Sequence, residues 1–179
     1  MNAASTVGHV RMALRDATMA DHRRVDTIYA DFSLDTREAY RAFLTAHARV
    51  LAPLEAAVAP AQPRQPLLAQ DLAALGAALP APLPQPDARS DGALWGIRYA
   101  LEGSRLGGAM LARQVGDGLP RAYLSAAHDK GEWVAFQRAL DSAATEGGEG
   151  WLEDAVQGAR AAFALFAQAG EAERTAIRA

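Results

Sequence analysis

The stretch from Ala93 to Gly116 reads ALWGIRYALEGSRLGGAMLARQVG and combines a helical pattern with three closely spaced glycines. Its apolar residues recur at helical spacing: Leu94, Ile97, Leu101, Met110, Leu111 and Val115. Gly103, Gly107 and Gly108 interrupt this pattern, although each glycine in a helix costs roughly 1 kcal/mol relative to alanine. Because Gly103 and Gly107 are four residues apart, they share a face where the backbone can bend or approach a neighbour closely. The glycines therefore fit a flat ligand, a second helix packed on them, or a helix that simply ends there.

The rest of the chain also predicts helices, because alanine is abundant and apolar residues keep the 3.6-residue period. A first helix is expected from about Ser5 to Ala30, and a second begins after a cap at Asp35 or Thr36 and contains Pro53. The later elements are a short helix from Leu67 to Leu79, an extended Pro-rich connector PAPLPQPDARSDG, a helix GEWVAFQRALDSA and a last helix GWLEDAVQGARAAFALFAQ. The prediction is an all-α fold, with residues 1–179 forming a single domain.

Composition excludes several classes of function. The chain has no cysteine, so disulfides, thiolate metal ligands, iron–sulfur clusters and cysteine nucleophiles are ruled out. A net charge of −3 offers no strong basic field for nucleic acid or an anionic membrane. No signal-peptide core opens the sequence, and no uncharged apolar run reaches about 18 residues. A cytoplasmic protein is therefore expected.

His22 lies on the apolar side of the first predicted helix, and Arg15 precedes it by two turns, or about 10 Å. A heme needs a ligand such as neutral imidazole at its centre and a cation near its carboxylate edge. A core histidine satisfied by a hydrogen bond would also fit the pattern. His47 is interpreted as a wall or core residue, while His9 and His128 have no supporting constellation.

Two other kinds of site have no support in the sequence. The four histidines show neither HExxH nor paired-carboxylate spacing, so a zinc site is not expected. GSRLGG differs from the GxSxG nucleophile elbow, and no predicted strand precedes it.

Two motifs of the chain resemble those of a known family. LRDATMADH, from Leu14 to His22, is similar to the first helix of heme oxygenases, and YALEGSRLGG, from Tyr99 to Gly108, is similar to the distal helix of bacterial members, especially those that accompany phytochromes. YRAFLTAHARVLAPLE and EWVAFQRAL also resemble helices of this family. The resemblance therefore extends over nearly the whole chain.

This resemblance implies a fold of about seven or eight helices, with a heme between the first helix and the glycine-kinked distal helix. It implies that heme is opened oxidatively to biliverdin with release of CO and ferrous iron. The implied partners are molecular oxygen, a redox partner such as a ferredoxin or reductase as external electron donor, and a phytochrome as acceptor of biliverdin.

The resemblance also assigns roles to individual residues. His22 matches the proximal iron ligand, while Arg15, Tyr99 and Arg160 match contacts to the heme propionates. The wall on the other side of the heme matches Gly103, Gly107 and Gly108, of which Gly103 and Gly107, with Ser104, form the catalytic surface. Ser104 is a departure, because mammalian-type members have at this position an aspartate that organises water.

Two other functions are compatible with the same fold. One is a non-catalytic protein that binds heme or biliverdin without turnover. The other is a related helical scaffold, such as the thiaminase-like group, which has less support because the chain has no cysteine and no evident acidic catalytic pair.

Overall fold

The computed structural model describes residues 8–178, which form six α-helices and one 3₁₀ turn, without any strand. The helices are α1 (His9–Tyr29), α2 (Arg37–Val58), α3 (Gln65–Ala74), α4 (Asp91–Leu111), α5 (Glu132–Gly147) and α6 (Trp151–Arg178), and the 3₁₀ turn is Ala112–Gln114. The all-α prediction is confirmed, and the expected helix start at Ser5 lies outside the described residues. Within 8–178, no helix is both long enough and apolar enough to span a bilayer.

Helix α6 forms the centre of the molecule and packs against α1, α2 and α4. The main hydrophobic core joins residues of α2, α3, α4 and α6, including Phe43, Leu51, Leu72, Ile97 and Phe163. Helices α4 and α6 approach closely where their glycines meet: a Cβ on Gly96 would overlap the Ala155 carbonyl oxygen, and one on Gly158 would overlap that of Ala93. These contacts fix the position of α4 relative to the rest of the bundle.

Helix α4 continues without a break through all three glycines that the sequence reading treated as interruptions. Its start is stabilised because the Ser90 hydroxyl accepts a hydrogen bond from the Ala93 N–H at 3.2 Å, and Asp91 lies in the first turn. Glycine weakens a helix through entropy but keeps its N–H, so the hydrogen-bond ladder can continue. The helix predicted for this segment is confirmed, and the alternative that it simply ends at these glycines is wrong.

Helix α3 ends at Ala74, five residues before the expected end at Leu79. Gly76 adopts a positive φ of 71° directly after the helix. The Gly76 N–H bonds to the Ala73 carbonyl at 2.9 Å and the Ala77 N–H bonds to the Leu72 carbonyl at 2.9 Å. This pair of bonds is the Schellman ending, for which glycine is the favoured residue.

Helix α2 tolerates Pro53 because the Pro-rich connector supplies a missing hydrogen bond. Proline has no N–H, so it leaves the carbonyl four residues earlier, that of Arg49, without its helical donor. The Leu83 N–H donates to the Arg49 carbonyl at 2.8 Å. The connector thus docks on α2, and residues 80–89 otherwise have no regular secondary structure, as the sequence predicts.

Candidate functional site

A cavity of about 370 Å³ lies between α1, α2, α4 and α6, within the usual size range of small-molecule sites. Its walls include His22 and Tyr29 of α1, Phe43 and His47 of α2, Gly103, Ser104 and Gly107 of α4, and Phe163 and Phe166 of α6. The structure therefore brings together the two motifs of the sequence, one on each side of the cavity.

The glycine face of α4 is open towards this cavity. A Cβ built on Gly103 or Gly107 would meet no atom of the described residues within 4 Å, whereas one on Gly108 would lie 3.5 Å from the Leu124 carbonyl oxygen. Gly103 and Gly107 therefore serve no close helix packing. The backbone there is available to a flat ligand, which was one of the three interpretations that the sequence left open.

His22 stands opposite the glycines on α1, with a side chain that is 60% exposed. Its Nδ1 lies 3.0 Å from a carboxylate oxygen of Asp26, one turn later on the helix, and its ring meets Phe163 edge to face at 5.7 Å. A carboxylate that accepts from Nδ1–H leaves the lone pair on Nε2, the nitrogen that can bind a metal. The sequence reading missed Asp26, although its spacing of four residues from His22 is a usable signal.

Arginine side chains gather at one end of the site. A second cavity of about 330 Å³ shares His22, Tyr99 and Gly103 with the first and is also lined by Arg11, Arg15 and Arg23. This end of the site can therefore hold carboxylate groups.

Tyr99 borders the same arginine cluster. Burial raises the pKa of the Tyr99 phenol, and its hydrogen bond with Thr18 and the charges of Arg11 and Arg15 oppose this rise. The phenol thus stays protonated at neutral pH, where it can donate a hydrogen bond to a carboxylate.

Arg160, which the resemblance matched to a propionate contact, has other partners. Its Nη2 donates to the Ala17 carbonyl at 3.1 Å, and its Nε lies 3.5 Å from a carboxylate oxygen of Asp21. It lines neither the 370 Å³ cavity nor the 330 Å³ cavity. In this structure Arg160 links α6 to α1, and Arg11 and Arg23 supply the cations beside Arg15.

Ser104 faces the cavity and is tied to an arginine. Its hydroxyl donates to the Leu101 carbonyl at 2.8 Å and accepts from Nη2 of Arg64 at 2.7 Å. Arg64 is only 4% exposed, and its backbone N–H donates to a Glu55 carboxylate oxygen at 2.7 Å. The polar group at this position is therefore a hydroxyl that is hydrogen-bonded to a buried arginine, whereas the mammalian-type members described above have an aspartate.

His47 contributes a polar pair at the cavity wall, beyond the wall or core role expected from the sequence. Its Nδ1 and the Tyr123 hydroxyl are 2.7 Å apart and share a hydrogen bond. Burial, assisted by the charge of Arg64, lowers the pKa of His47 to about 3. Burial also raises the pKa of Tyr123, so both members of the pair are uncharged at neutral pH.

Arg64 and Tyr123 were missed because both lie outside the periodic helical segments. Arg64 stacks over the Tyr123 ring, with its guanidinium carbon 5.3 Å from the ring centre. Ser104, Arg64, Tyr123 and His47 thus form one connected polar group beside the glycine face.

The arrangement fits the heme that the sequence resemblance implies. It offers a carboxylate-oriented imidazole on one side, a bare helix backbone on the other, and arginines at one end. Each part matches a separate chemical feature of a flat, iron-containing ligand with two carboxylates.

Comparison with known proteins gives two similarities, while no family model matches the chain. Over 113 residues the chain is 39% identical to a curated heme oxygenase of Xanthomonas campestris pv. campestris; the match covers 58% of this chain and 64% of that protein, just under two thirds of its length. The crystal structure of the NO- and CO-bound heme oxygenase of Neisseria meningitidis superposes with a TM-score of 0.77, at 22% identity, over 93% of this chain and 92% of that one. This chain therefore has the heme oxygenase fold, and its sequence resembles that of bacterial heme oxygenases.

Proposed function

We propose that this protein is a heme oxygenase that opens heme to biliverdin and releases CO and ferrous iron. The observation that carries the proposal is the open face of Gly103 and Gly107 opposite the His22–Asp26 pair. The similarity to named heme oxygenases supports the same activity. The hydrophobic core that joins four of the helices supports our further proposal that residues 1–179 act as one domain.

On the α1 side, Nε2 of His22 is the iron ligand in this proposal, and Asp26 orients the imidazole by accepting from Nδ1–H. Arg15, Arg11 and Tyr99 hold the two propionates, because carboxylates pair well with guanidinium groups and a protonated phenol. These contacts would set the orientation of the heme in the site and therefore the ring edge that is presented for opening.

On the α4 side, Gly103 and Gly107 form the catalytic wall, where the backbone lies close to the ligand without a side chain between them. Bound heme supplies both the iron at which oxygen reacts and the ring that is opened. Ser104 and Arg64, together with His47 and Tyr123, hold water at this wall, and ordered water delivers the protons. The hydroxyl–arginine pair takes the place of the aspartate of mammalian-type members.

The proposed reaction requires molecular oxygen and an external electron donor, such as a ferredoxin or a reductase. Arg15 and Arg23 are exposed at the propionate end, where their charge favours the approach of an acidic donor. A phytochrome is the proposed acceptor for biliverdin, in line with the resemblance of the YALEGSRLGG motif.

A hemin titration followed by turnover tests this function. We expect a Soret band when purified protein is mixed with hemin, and its decay into a biliverdin spectrum after an electron donor and catalase are added. A heme complex that stays intact under several donors would assign the protein to non-catalytic heme binding. Absence of a Soret shift would contradict both functions.

The variant His22→Ala tests the iron ligand. Loss of the imidazole should change the Soret and visible bands of the hemin complex, because the variant lacks the ring nitrogen that α1 would supply to the iron from the cavity wall. His9→Ala is the matched control, since His9 pairs with Asp141 and lines neither of the two cavities of the site. A wild-type heme spectrum in His22→Ala would refute the assignment.

A further inference from the structure

A buried carboxylate on α3 holds the segment that carries Tyr123. Asp71 is 1% exposed, and its two oxygens accept hydrogen bonds from the N–H groups of Ala122 and Tyr123, at 3.1 Å and 2.9 Å. Ala122 and Tyr123 lie between α4 and α5, outside any helix. A single side chain therefore satisfies two consecutive backbone donors of a non-helical segment.

The other end of Tyr123 reaches the cavity. Its hydroxyl shares the 2.7 Å hydrogen bond with Nδ1 of His47, and the ring is buried beneath Arg64. Because the Asp71 bond is to the backbone N–H of the same residue, it sets where the Tyr123 hydroxyl stands. A shift of this backbone would separate the hydroxyl from His47.

We propose that Asp71 is a positioning residue of the site: by clamping the backbone of Ala122 and Tyr123, it holds the Tyr123 hydroxyl in hydrogen-bond contact with Nδ1 of His47. Its relevance to turnover rests on the proposed function, whereas the clamp itself does not. Asp71 contacts no ligand in this proposal and acts only through Tyr123.

The bonding pattern explains why an ionised carboxylate is needed. Burial raises the pKa of Asp71, and the two backbone hydrogen bonds act in the opposite direction because they favour the charged form. An asparagine side chain would keep the size but has only one oxygen to accept from two N–H groups. Asp71→Asn should therefore release one of the two donors and loosen the segment.

The ring nitrogen resonances of His47, recorded by NMR on ¹⁵N-labelled protein without hemin, test the proposal. The chain has four histidines, so each signal can be assigned by substitution. We expect the Nδ1 resonance of a hydrogen-bonded imidazole in the wild type. In Asp71→Asn this resonance should shift towards that of an imidazole without the Tyr123 hydrogen bond. Tyr123→Phe should give the same change, and the double variant should add nothing further.

Asp141→Asn is the matched control, because Asp141 is another carboxylate that accepts hydrogen bonds from two backbone N–H groups. Asp141 accepts from the N–H groups of Gly8 and Val10, at 2.6 Å and 3.1 Å, at the start of α1. This variant should leave the His47 signals unchanged. If Asp71→Asn leaves them unchanged while Tyr123→Phe moves them, or if Tyr123→Phe itself has no effect, the proposal is overturned.

Two further measurements distinguish a failure of the clamp from a failure of the variant to fold and from a failure of the proposed function. If Asp71→Asn does not fold, hydrogen exchange of the wild type decides: slow exchange of the Ala122 and Tyr123 amides supports the clamp, and exchange at the rate of free amides overturns it. Hemin titration of the wild type tests the proposed function separately. The His47 result stands even when hemin fails to bind, because it is measured without hemin.

Discussion

The two halves of α4 use glycine for different purposes. In the first half, Gly92 and Gly96 lie against α6, and a Cβ on Gly96 would overlap the Ala155 carbonyl oxygen. In the second half, a Cβ on Gly103 or Gly107 would meet open space in the described part of the chain. The sequence pattern is similar in both halves, so the difference comes from what lies opposite: a helix in one case and a cavity in the other.

The free-energy balance of the two halves differs accordingly. Each glycine costs roughly 1 kcal/mol of helix stability relative to alanine. Close packing of α4 on α6 offsets this cost at Gly96. At Gly103 and Gly107 no packing against the described part of the chain offsets this cost, as expected if these glycines face a ligand. Alanine at Gly103 and Gly107 would therefore make the second half of α4 more stable. Glycine at these two positions is expected of a functional surface.

Gly96→Ala should give the largest effect on the fold. The added methyl would overlap the Ala155 carbonyl oxygen and lie 2.7 Å from the Ala159 nitrogen, both of them backbone atoms that move only if α4 and α6 separate. We expect a loss of about 3 kcal/mol in the free energy of unfolding, measured by urea denaturation. An unchanged midpoint would mean that the two helices do not approach as closely as the structure shows.

Gly107→Leu should leave the stability of the fold unchanged and weaken hemin binding. The side chain has room in the folded protein but occupies the ligand face, so stability is retained while hemin affinity falls by on the order of 100-fold, or about 2.8 kcal/mol. Arg113→Leu is the control, because it adds a leucine just beyond the same end of α4 at an exposed position. Wild-type affinity in Gly107→Leu would show that the ligand does not lie on this face.

Local sequence signals predicted one side of the site. Helical periodicity fixes which residues of one helix share a face, so it could place His22 and Arg15 together on α1. Tyr99 was assigned by the family resemblance, and all three residues line the cavities. Arg64, Tyr123 and Asp71 could not be placed, because their roles depend on contacts between segments more than 30 positions apart along the chain. The match of Arg160 to a propionate contact stays a prediction; in this structure its guanidinium contacts Ala17 and Asp21 of α1.

The helices were predictable where the apolar periodicity is strong, whereas the residues at which they end were less predictable. The helical segments were found, but α3 was extended past Gly76 because a lone glycine inside an alanine-rich stretch was not interpreted as a stop. The difference between the packed glycines and the open glycines of α4 was not predictable either. It depends on Ala155 and Ala159 of α6, which are about 60 residues from Gly96 in sequence.

Arg15→Gln tests the wall that faces the second half of α4. The loss of one guanidinium beside the propionate end should weaken hemin binding about tenfold, or about 1.4 kcal/mol. The dimethyl ester of hemin is the matched ligand, because it lacks the carboxylates and should bind both proteins equally. An equal loss for the ester would indicate that Arg15 supports the fold of α1 instead.

Gly103→Ala should produce the smallest effect and the one that most directly separates the two halves of α4. The methyl group meets open space in the folded protein, so the higher helix propensity of alanine should raise the free energy of unfolding by about 1 kcal/mol, in contrast to the loss at Gly96. The same methyl would stand between the backbone and the ligand, so hemin turnover should fall while protein stability rises. Urea denaturation and biliverdin formation, measured on the same preparation, give both quantities. A variant that is both more stable and fully active would mean that Gly103 is dispensable, and that the ligand-facing part of α4 is confined to the turn around Gly107.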